Sequence, residues 1–235
     1  MTFSWKRVNA IFQKDFKDFS RNIAVSIVIF LPLIMAAVYG RMGVDSIQVH
    51  FMTINMTFAM VGTYVQCCLI AEEKEKNTLR GLMLSPANTF EILGGKSLLS
   101  FVLTITIIFF SAFLSEYKPA SITMVAVAII LSSLFYIGMG TLLGLIAKSV
   151  MESSVIVLPV IGVFTVGSFA TVWAQKYPVL KALEYMPNVQ LIDLAEKVEK
   201  GARFVNVLSN LGIIGAWVVV VFVLTVVVYK KRMVD

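Results

Sequence analysis

The segment Glu72–Lys96, EEKEKNTLRGLMLSPANTFEILGGK, is a charged stretch between two long apolar runs, residues 51–71 and 97–115. An apolar helix of about 20 residues crosses the hydrocarbon core of a bilayer. Both flanking runs are close to that length, so the charged stretch should lie outside the hydrocarbon and join two membrane spans. It is therefore the main place where we expect this chain to meet a soluble partner.

The composition extends this interpretation to the whole chain. Of 235 residues, 58% are hydrophobic and 14% are charged, whereas soluble domains average about 45–50% and about 25%. The apolar runs that are long enough to span a membrane are Ile23–Gly40, Phe51–Ala71, Ser97–Ser115, Ser121–Ala147, Ser154–Trp173 and Leu208–Tyr229. Runs such as residues 218–224 do not alternate as membrane β-strands do. The sequence predicts one all-α transmembrane domain over residues 1–235, with six transmembrane helices.

An amphipathic stretch precedes the first span. In residues 1–22, apolar side chains recur every three or four positions, at Trp5, Val8, Phe12, Phe16 and Phe19. This pattern is typical of a helix that lies in the membrane interface with its aromatic side toward the lipid. Such a helix acts as an anchor, as a lateral gate or as a docking surface for a partner.

Residues 175–207, before the last span, are too long for a turn and too apolar for a free loop. They predict two short amphipathic helices in the outer leaflet. The second helix would be capped by Asn188 and ended by Gly201.

Within the fourth span, Gly140 and Gly144 lie one turn apart, a spacing that permits close packing of helices.

The distribution of basic residues predicts the orientation. Six spans place both termini on one side of the membrane, and that side carries most of the 20 Lys and Arg residues. Short loops rich in Lys and Arg stay in the cytoplasm, so we expect both termini there. The net charge of +6 is then explained by the basic residues that orient the protein in the membrane, and we predict no nucleic-acid partner.

The charged stretch has a local pattern of its own. We expect the helix of the second span to continue to Leu84 and to stop at Ser85-Pro86, because proline disfavours helical geometry in the preceding residue. Asn88 and Glu91 have the spacing of a capping box and should begin the next helix. The prediction is a helical hairpin at the cytoplasmic surface; an ordinary loop is the alternative.

The residues that would drive chemistry are missing. No Asp, Glu, Lys or Arg lies in the middle of a span, where ion-coupled transporters carry such residues. The single histidine, His50, and the adjacent Cys67 and Cys68 predict neither a metal site nor a nucleophile with its base. Gly95-Lys96-Ser97 departs from a phosphate-binding loop, which needs glycine at Phe90. If the chain moves a substrate uphill, the energy must come from another polypeptide.

The charged stretch resembles the signature of type-2 ATP-binding-cassette (ABC) transporter permeases. The segment Glu73-Lys74-Glu75-Lys76-Asn77-Thr78-Leu79 is followed by Leu82, Ser85-Pro86, Glu91-Ile92-Leu93 and Gly95-Lys96, without a gap relative to the family pattern. The six spans, the interfacial helix and the outer segment extend the resemblance over the whole chain. The departures are Asn77, where the family usually has glycine, Arg80, where an acidic residue is common, and the lack of a clear Phe-Pro pair after the fifth span.

The resemblance implies that two permeases, identical or similar, pair in the membrane. Each would seat a cytoplasmic coupling helix, within residues 72–96, in a cleft of a separate ATP-binding-cassette ATPase. The chain itself would bind no cofactor and catalyse no reaction, because ATP and magnesium belong to the ATPase. The implied coupling residues are Glu73, Glu75, Thr78, Leu79, Leu82, Ser85, Pro86, Asn88, Phe90 and Glu91, and the implied outer gate comprises Tyr185, Pro187 and Asn188.

Most members of this family export, and a small permease without a fused ATPase is typical of bacterial plasma membranes. We expect a path lined by apolar residues with Thr, Ser, Asn and Met from the first, second and fifth spans. Such a path favours hydrophobic or amphipathic cargo, with peptides, toxins or drugs ahead of lipids and lipid-linked glycans. A non-transporting membrane scaffold or a sensor of envelope stress is the alternative function.

Overall fold

The computed structural model of the chain describes residues 4–78, 81, 88–166 and 178–232. Within these ranges the regular elements are helices, without a strand. The helices are α1 (Trp5–Arg21), α2 (Ile23–Arg41), α3 (Ile47–Glu75), α4 (Thr89–Leu114), α5 (Ile122–Ile146), α6 (Val150–Val166), α7 (Pro187–Glu199) and α8 (Phe204–Arg232). A 3-10 helix, Pro178–Tyr185, precedes α7.

Helices α2, α3, α4, α5 and α8 are long and apolar enough to cross a membrane. Helix α6, with 17 residues, is also predominantly apolar but shorter. Residues 167–177, which the sequence assigns to the end of the fifth span, lie outside the described residues. The predicted all-α membrane fold is confirmed.

Helix α3 lies at the centre of the bundle. In its most apolar 18-residue window 83% of the residues are buried, against 39% or less in the other long spans. Its middle part, Phe58–Val65, is a π-helix. Below this segment the Gln66 amide donates to the Thr141 hydroxyl (2.9 Å) and accepts from the Ser100 hydroxyl (2.7 Å). Because a buried amide is costly without partners, these bonds hold α3 to both α4 and α5.

Two glycines let α5 approach α3. A Cβ at Gly140 would overlap the carbonyl oxygen of Thr63 and lie 2.9 Å from Cβ of Gln66. A Cβ at Gly144 would lie 2.7 Å from Cβ of Ile70. The close packing that the sequence predicts for these two glycines is confirmed.

Helix α1 has the predicted amphipathic character, but its apolar residues divide between two environments. Val8, Ile11 and Phe19 are buried on the side that packs against α4. Trp5 and Phe16 are exposed, at 73% and 53%. The helix therefore docks on the bundle, and only part of the predicted aromatic face remains available to lipid.

Two helix boundaries differ from the sequence prediction. Helix α3 ends at Glu75 and does not continue to Leu84, because Asn77 adopts a left-handed backbone (φ 55°) two residues later. Glycine is the usual residue in this position after a helix, and asparagine is the common substitute, which explains the departure from the family pattern at Asn77. Asn188 does not cap α7: Met186 is the N-cap and Pro187 is the first helical residue. The helix does end before Gly201, which has φ 77°.

Gly140→Ala should destabilise the protein, because its methyl group forces α3 and α5 apart. Overpacking of this kind costs about 1–3 kcal/mol. Gly162→Ala, in α6, is the matched control, because a Cβ there meets no atom within 4 Å. We expect a lower midpoint of thermal unfolding in detergent for Gly140→Ala than for the wild type and Gly162→Ala. Equal midpoints for the two variants would contradict the close packing.

Candidate functional site

Three consecutive residues at the end of α3, Glu73, Lys74 and Glu75, each contact a different part of the bundle. Successive residues on a helix are rotated by about 100°, so three neighbours can reach in three directions. We call these three residues the α3 junction. They lie at the start of the segment, residues 72–96, that the family resemblance predicts to contact an ATPase.

Glu73 points to α1 and α4. One of its carboxylate oxygens lies 2.7 Å from Nζ of Lys96, and the other pairs with Nζ of Lys14. The Lys96 ammonium also lies 3.5 Å from both carboxylate oxygens of Asp15. Lys96, Asp15 and Glu73 are buried. The four formal charges balance, so this ionic cluster satisfies the requirement that buried charges be paired.

Burial has a measurable consequence for Asp15. It raises the pKa of the Asp15 carboxyl to about 6, while the positive charge of Lys96 opposes the shift and the negative charge of Glu73 adds to it. The ordinary pKa of aspartate is near 3.9. The folded protein therefore binds a proton at Asp15 more readily than the unfolded chain does.

A second set of contacts fixes α1 to the start of α4. The buried carboxylate of Glu91 forms the predicted capping box with Asn88, in which each residue's backbone N–H donates to the other's side chain at 2.8 Å. The same carboxylate accepts from the backbone N–H of Ser4 (2.6 Å) and from Arg7 (2.9 Å). One turn on, a Cβ at Gly95 would lie 2.9 Å from Ile11. The motif residues Glu91 and Gly95 thus position α1.

Lys74 binds the end of α5. Its ammonium donates to the carbonyl oxygen of Leu145 (2.7 Å) and to that of Ala147. The last carbonyls of a helix have no partner within the helix and carry a partial negative charge. A lysine at this position supplies both the missing donor and the favourable charge.

Glu75 binds the start of α6. Its carboxylate accepts from the backbone N–H of Val150 at 3.0 Å. Helix N-termini have free N–H groups and a partial positive charge, so the acidic residue has the favourable sign. Lys74 and Glu75 together hold both sides of the turn between α5 and α6.

The predicted coupling residues that the structure describes differ in exposure. Glu75 and Thr78 are exposed, whereas Glu73 and Glu91 are buried and bonded within the chain. Asn88 is partly buried at the start of α4. Leu79, Leu82, Ser85, Pro86 and the side chain of Phe90 lie outside the described residues. Among the described acidic residues of this set, Glu75 is the one with surface available to a partner.

Sequence reasoning missed the role of Lys14, Asp15 and Lys74 in this site. A signal for Asp15 is present, because it lies four residues from both Ile11 and Phe19, on the side of α1 that is otherwise apolar. A charged residue in such a position needs a partner from another segment. The sequence does not reveal that the partner is Lys96, 81 residues away.

The predicted outer-gate residues lie at the opposite end of the bundle. The Asn188 amide donates to the carbonyl oxygen of Phe164 (3.1 Å), and Trp217 Nε1 donates to the carbonyl oxygen of Tyr185 (2.8 Å). Asn188 and Pro187 are buried, whereas Tyr185 is 61% exposed. These contacts join α7 to α6 and the 3-10 helix to α8, and none of these residues touches the α3 junction.

Comparison with known proteins gives one family. The sequence profile described as "ABC-2 family transporter protein" matches residues 10–227. The match includes the α3 junction, the ionic cluster and the outer segment. None of the curated proteins matches the chain by sequence.

The raised pKa of Asp15 predicts a pH effect on stability. Since the folded state binds the proton more tightly, the contribution of Asp15 to stability falls as pH rises from about 4 through about 6. Asp15→Asn keeps the shape of the side chain and cannot titrate. We expect the thermal midpoint of the wild type, relative to that of Asp15→Asn, to rise as pH is lowered from 7 to 4.5. Parallel profiles would contradict the burial of Asp15.

Proposed function

Because the chain belongs to the ABC-2 family of transporter proteins, and is therefore a multi-pass transmembrane permease that works with an ABC ATPase subunit, we propose that it exports hydrophobic or amphipathic substrates. Peptides, toxins and drugs are the substrate classes that fit best. The observation that carries the proposal is the α3 junction, which contacts four other helices, α1, α4, α5 and α6.

The coupling route begins with the ATPase, which binds the segment that follows Thr78. A movement of this segment acts on the end of α3, to which residues 76–78 connect it. Glu73 passes the displacement to α1 and α4 through Lys14 and Lys96. Lys74 and Glu75 pass it to α5 and α6. ATP and magnesium remain on the ATPase, and this chain supplies no cofactor site.

Two permeases, identical or closely related, form the substrate path between them. Helix α3 is mostly buried within one copy, so α2 and α6 supply most of the surface for pairing. Both helices expose large apolar side chains, among them Ile27 and Ile34 of α2 and Met151 and Leu158 of α6, which are 56–81% exposed. An apolar path of this kind suits a hydrophobic or amphipathic substrate better than an ion.

The orientation follows from the distribution of basic residues. The α3 junction faces the cytoplasm, where the ATPase is, and both termini lie on that side. The outer segment with Tyr185, Pro187 and Asn188 faces outward and gates the exit. The plasma membrane of a bacterium is the proposed location.

Glu75→Lys tests the coupling role. The change removes the acceptor for the Val150 N–H and reverses the charge of an exposed residue beside the proposed ATPase contact. Charge reversals in an interface cost several kcal/mol, and about 1.4 kcal/mol already corresponds to a factor of ten. We expect transport of a fluorescent amphipathic peptide into proteoliposomes to fall at least tenfold, while ATP hydrolysis and membrane insertion persist.

Two further variants serve as controls for this experiment. Glu75→Gln keeps an acceptor for Val150 without the charge, and Glu116→Lys reverses an exposed charge at the opposite end of the bundle. Glu116→Lys should transport normally. Normal transport by Glu75→Lys, with the ATPase still bound, would show that Glu75 does not couple the two subunits.

A further inference from the structure

A long groove opens on the lipid-facing surface of the bundle, near the end that carries the α3 junction. Its walls are α4 and α8, and its floor is α5. The groove encloses about 840 Å³, within the range of about 300–1,000 Å³ that small-molecule sites occupy. Its lining is mainly apolar and includes Phe101 of α4, Ile137 of α5 and Phe222 of α8.

Charge is confined to one end of the groove. Lys230 is the only charged residue among the described residues that line it, and Lys231 follows on the same helix. Both lysines are exposed. No acidic residue is part of the described lining. The groove is thus apolar along most of its length and positively charged at one end.

The length of the groove corresponds to one leaflet of a bilayer. From Lys230 to Val218 the α8 axis extends about 18 Å, at about 1.5 Å per residue. Half of a hydrocarbon core is about 15 Å. The groove therefore runs from the membrane surface, at Lys230, to about the middle of the bilayer.

We propose that this groove binds one anionic phospholipid of the leaflet on the junction side. The phosphate lies at Lys230, and an acyl chain fills the space over α5 between α4 and α8. Basic pockets between membrane helices are known to bind anionic lipid headgroups, and the lining gives the charge complementarity. The bound lipid fills the gap between α4 and α8 near the ends of these helices. The proposal does not depend on the substrate or on the direction of transport.

The headgroup contact is tested by native mass spectrometry of the full-length chain, released from nanodiscs that contain equal amounts of phosphatidylglycerol and phosphatidylcholine with the same acyl chains. We expect the wild type to retain phosphatidylglycerol preferentially. Lys230→Gln should lower the ratio of the two retained lipids about fivefold, the effect of one basic residue near an anionic surface. Lys231→Gln, which changes a lysine outside the lining, should leave the ratio unchanged.

The acyl-chain contact is tested by filling the groove. A side chain at Gly94 has open space, because an added Cβ meets no atom within 4 Å, and Gly94 lines the groove. Gly94→Leu should retain fewer lipids of either headgroup. Gly212→Leu, in α8, has equally open space outside the described lining and should retain as many lipids as the wild type. Elution volume and thermal midpoint establish that each variant is folded.

Three results would overturn the proposal. The first is an unchanged lipid ratio in Lys230→Gln, and the second is equal lipid retention by Gly94→Leu and Gly212→Leu. The third is an oxidative cross-link between two copies of Leu98→Cys, a groove position on α4, because it would place a second copy of the chain in the groove.

Discussion

The architecture at one end of this bundle depends on the burial of Glu73 at the end of the central helix. A carboxylate removed from water requires a cationic partner, and Lys96 and Lys14 provide it. Lys96 in turn is buried, and a second carboxylate, that of Asp15, lies beside it. This single requirement fixes the position of α1 against α3 and α4, because the four charged residues come from those three helices.

The neighbouring residues Lys74 and Glu75 constrain α5 and α6 in a related way. Helix ends leave backbone groups without partners, and Lys74 and Glu75 satisfy such groups at the end of α5 and the start of α6. The proposed function uses this arrangement, since a displacement after Thr78 reaches every helix that meets at the junction. The π-helix Phe58–Val65 interrupts α3 between its first residues and the junction, and π-helical segments are frequent at functional sites.

Features set by local pattern could be predicted from the sequence. The lengths of the apolar runs predicted the long membrane spans. The spacing of residues predicted the capping box of Asn88 with Glu91 and the close packing at Gly140 and Gly144. Features set by distant partners could not be predicted. Asp15 and Lys96 are far apart in the chain, so periodicity does not relate them. The end of α3 was missed because the left-handed conformation of Asn77 outweighs the helical pattern that follows it.

The measurement that tests the account most directly is a double-mutant cycle between Glu73 and Lys96. Each single change, Glu73→Gln or Lys96→Met, leaves the buried ionic cluster with one uncompensated charge, and breaking a buried ion pair typically costs about 3–5 kcal/mol. We expect the free energy of unfolding of the double variant to fall by at least about 1 kcal/mol less than the sum of the two single losses, within the usual range for residues in contact. Losses that add to within about 0.5 kcal/mol would contradict it, because independent sites behave in that way.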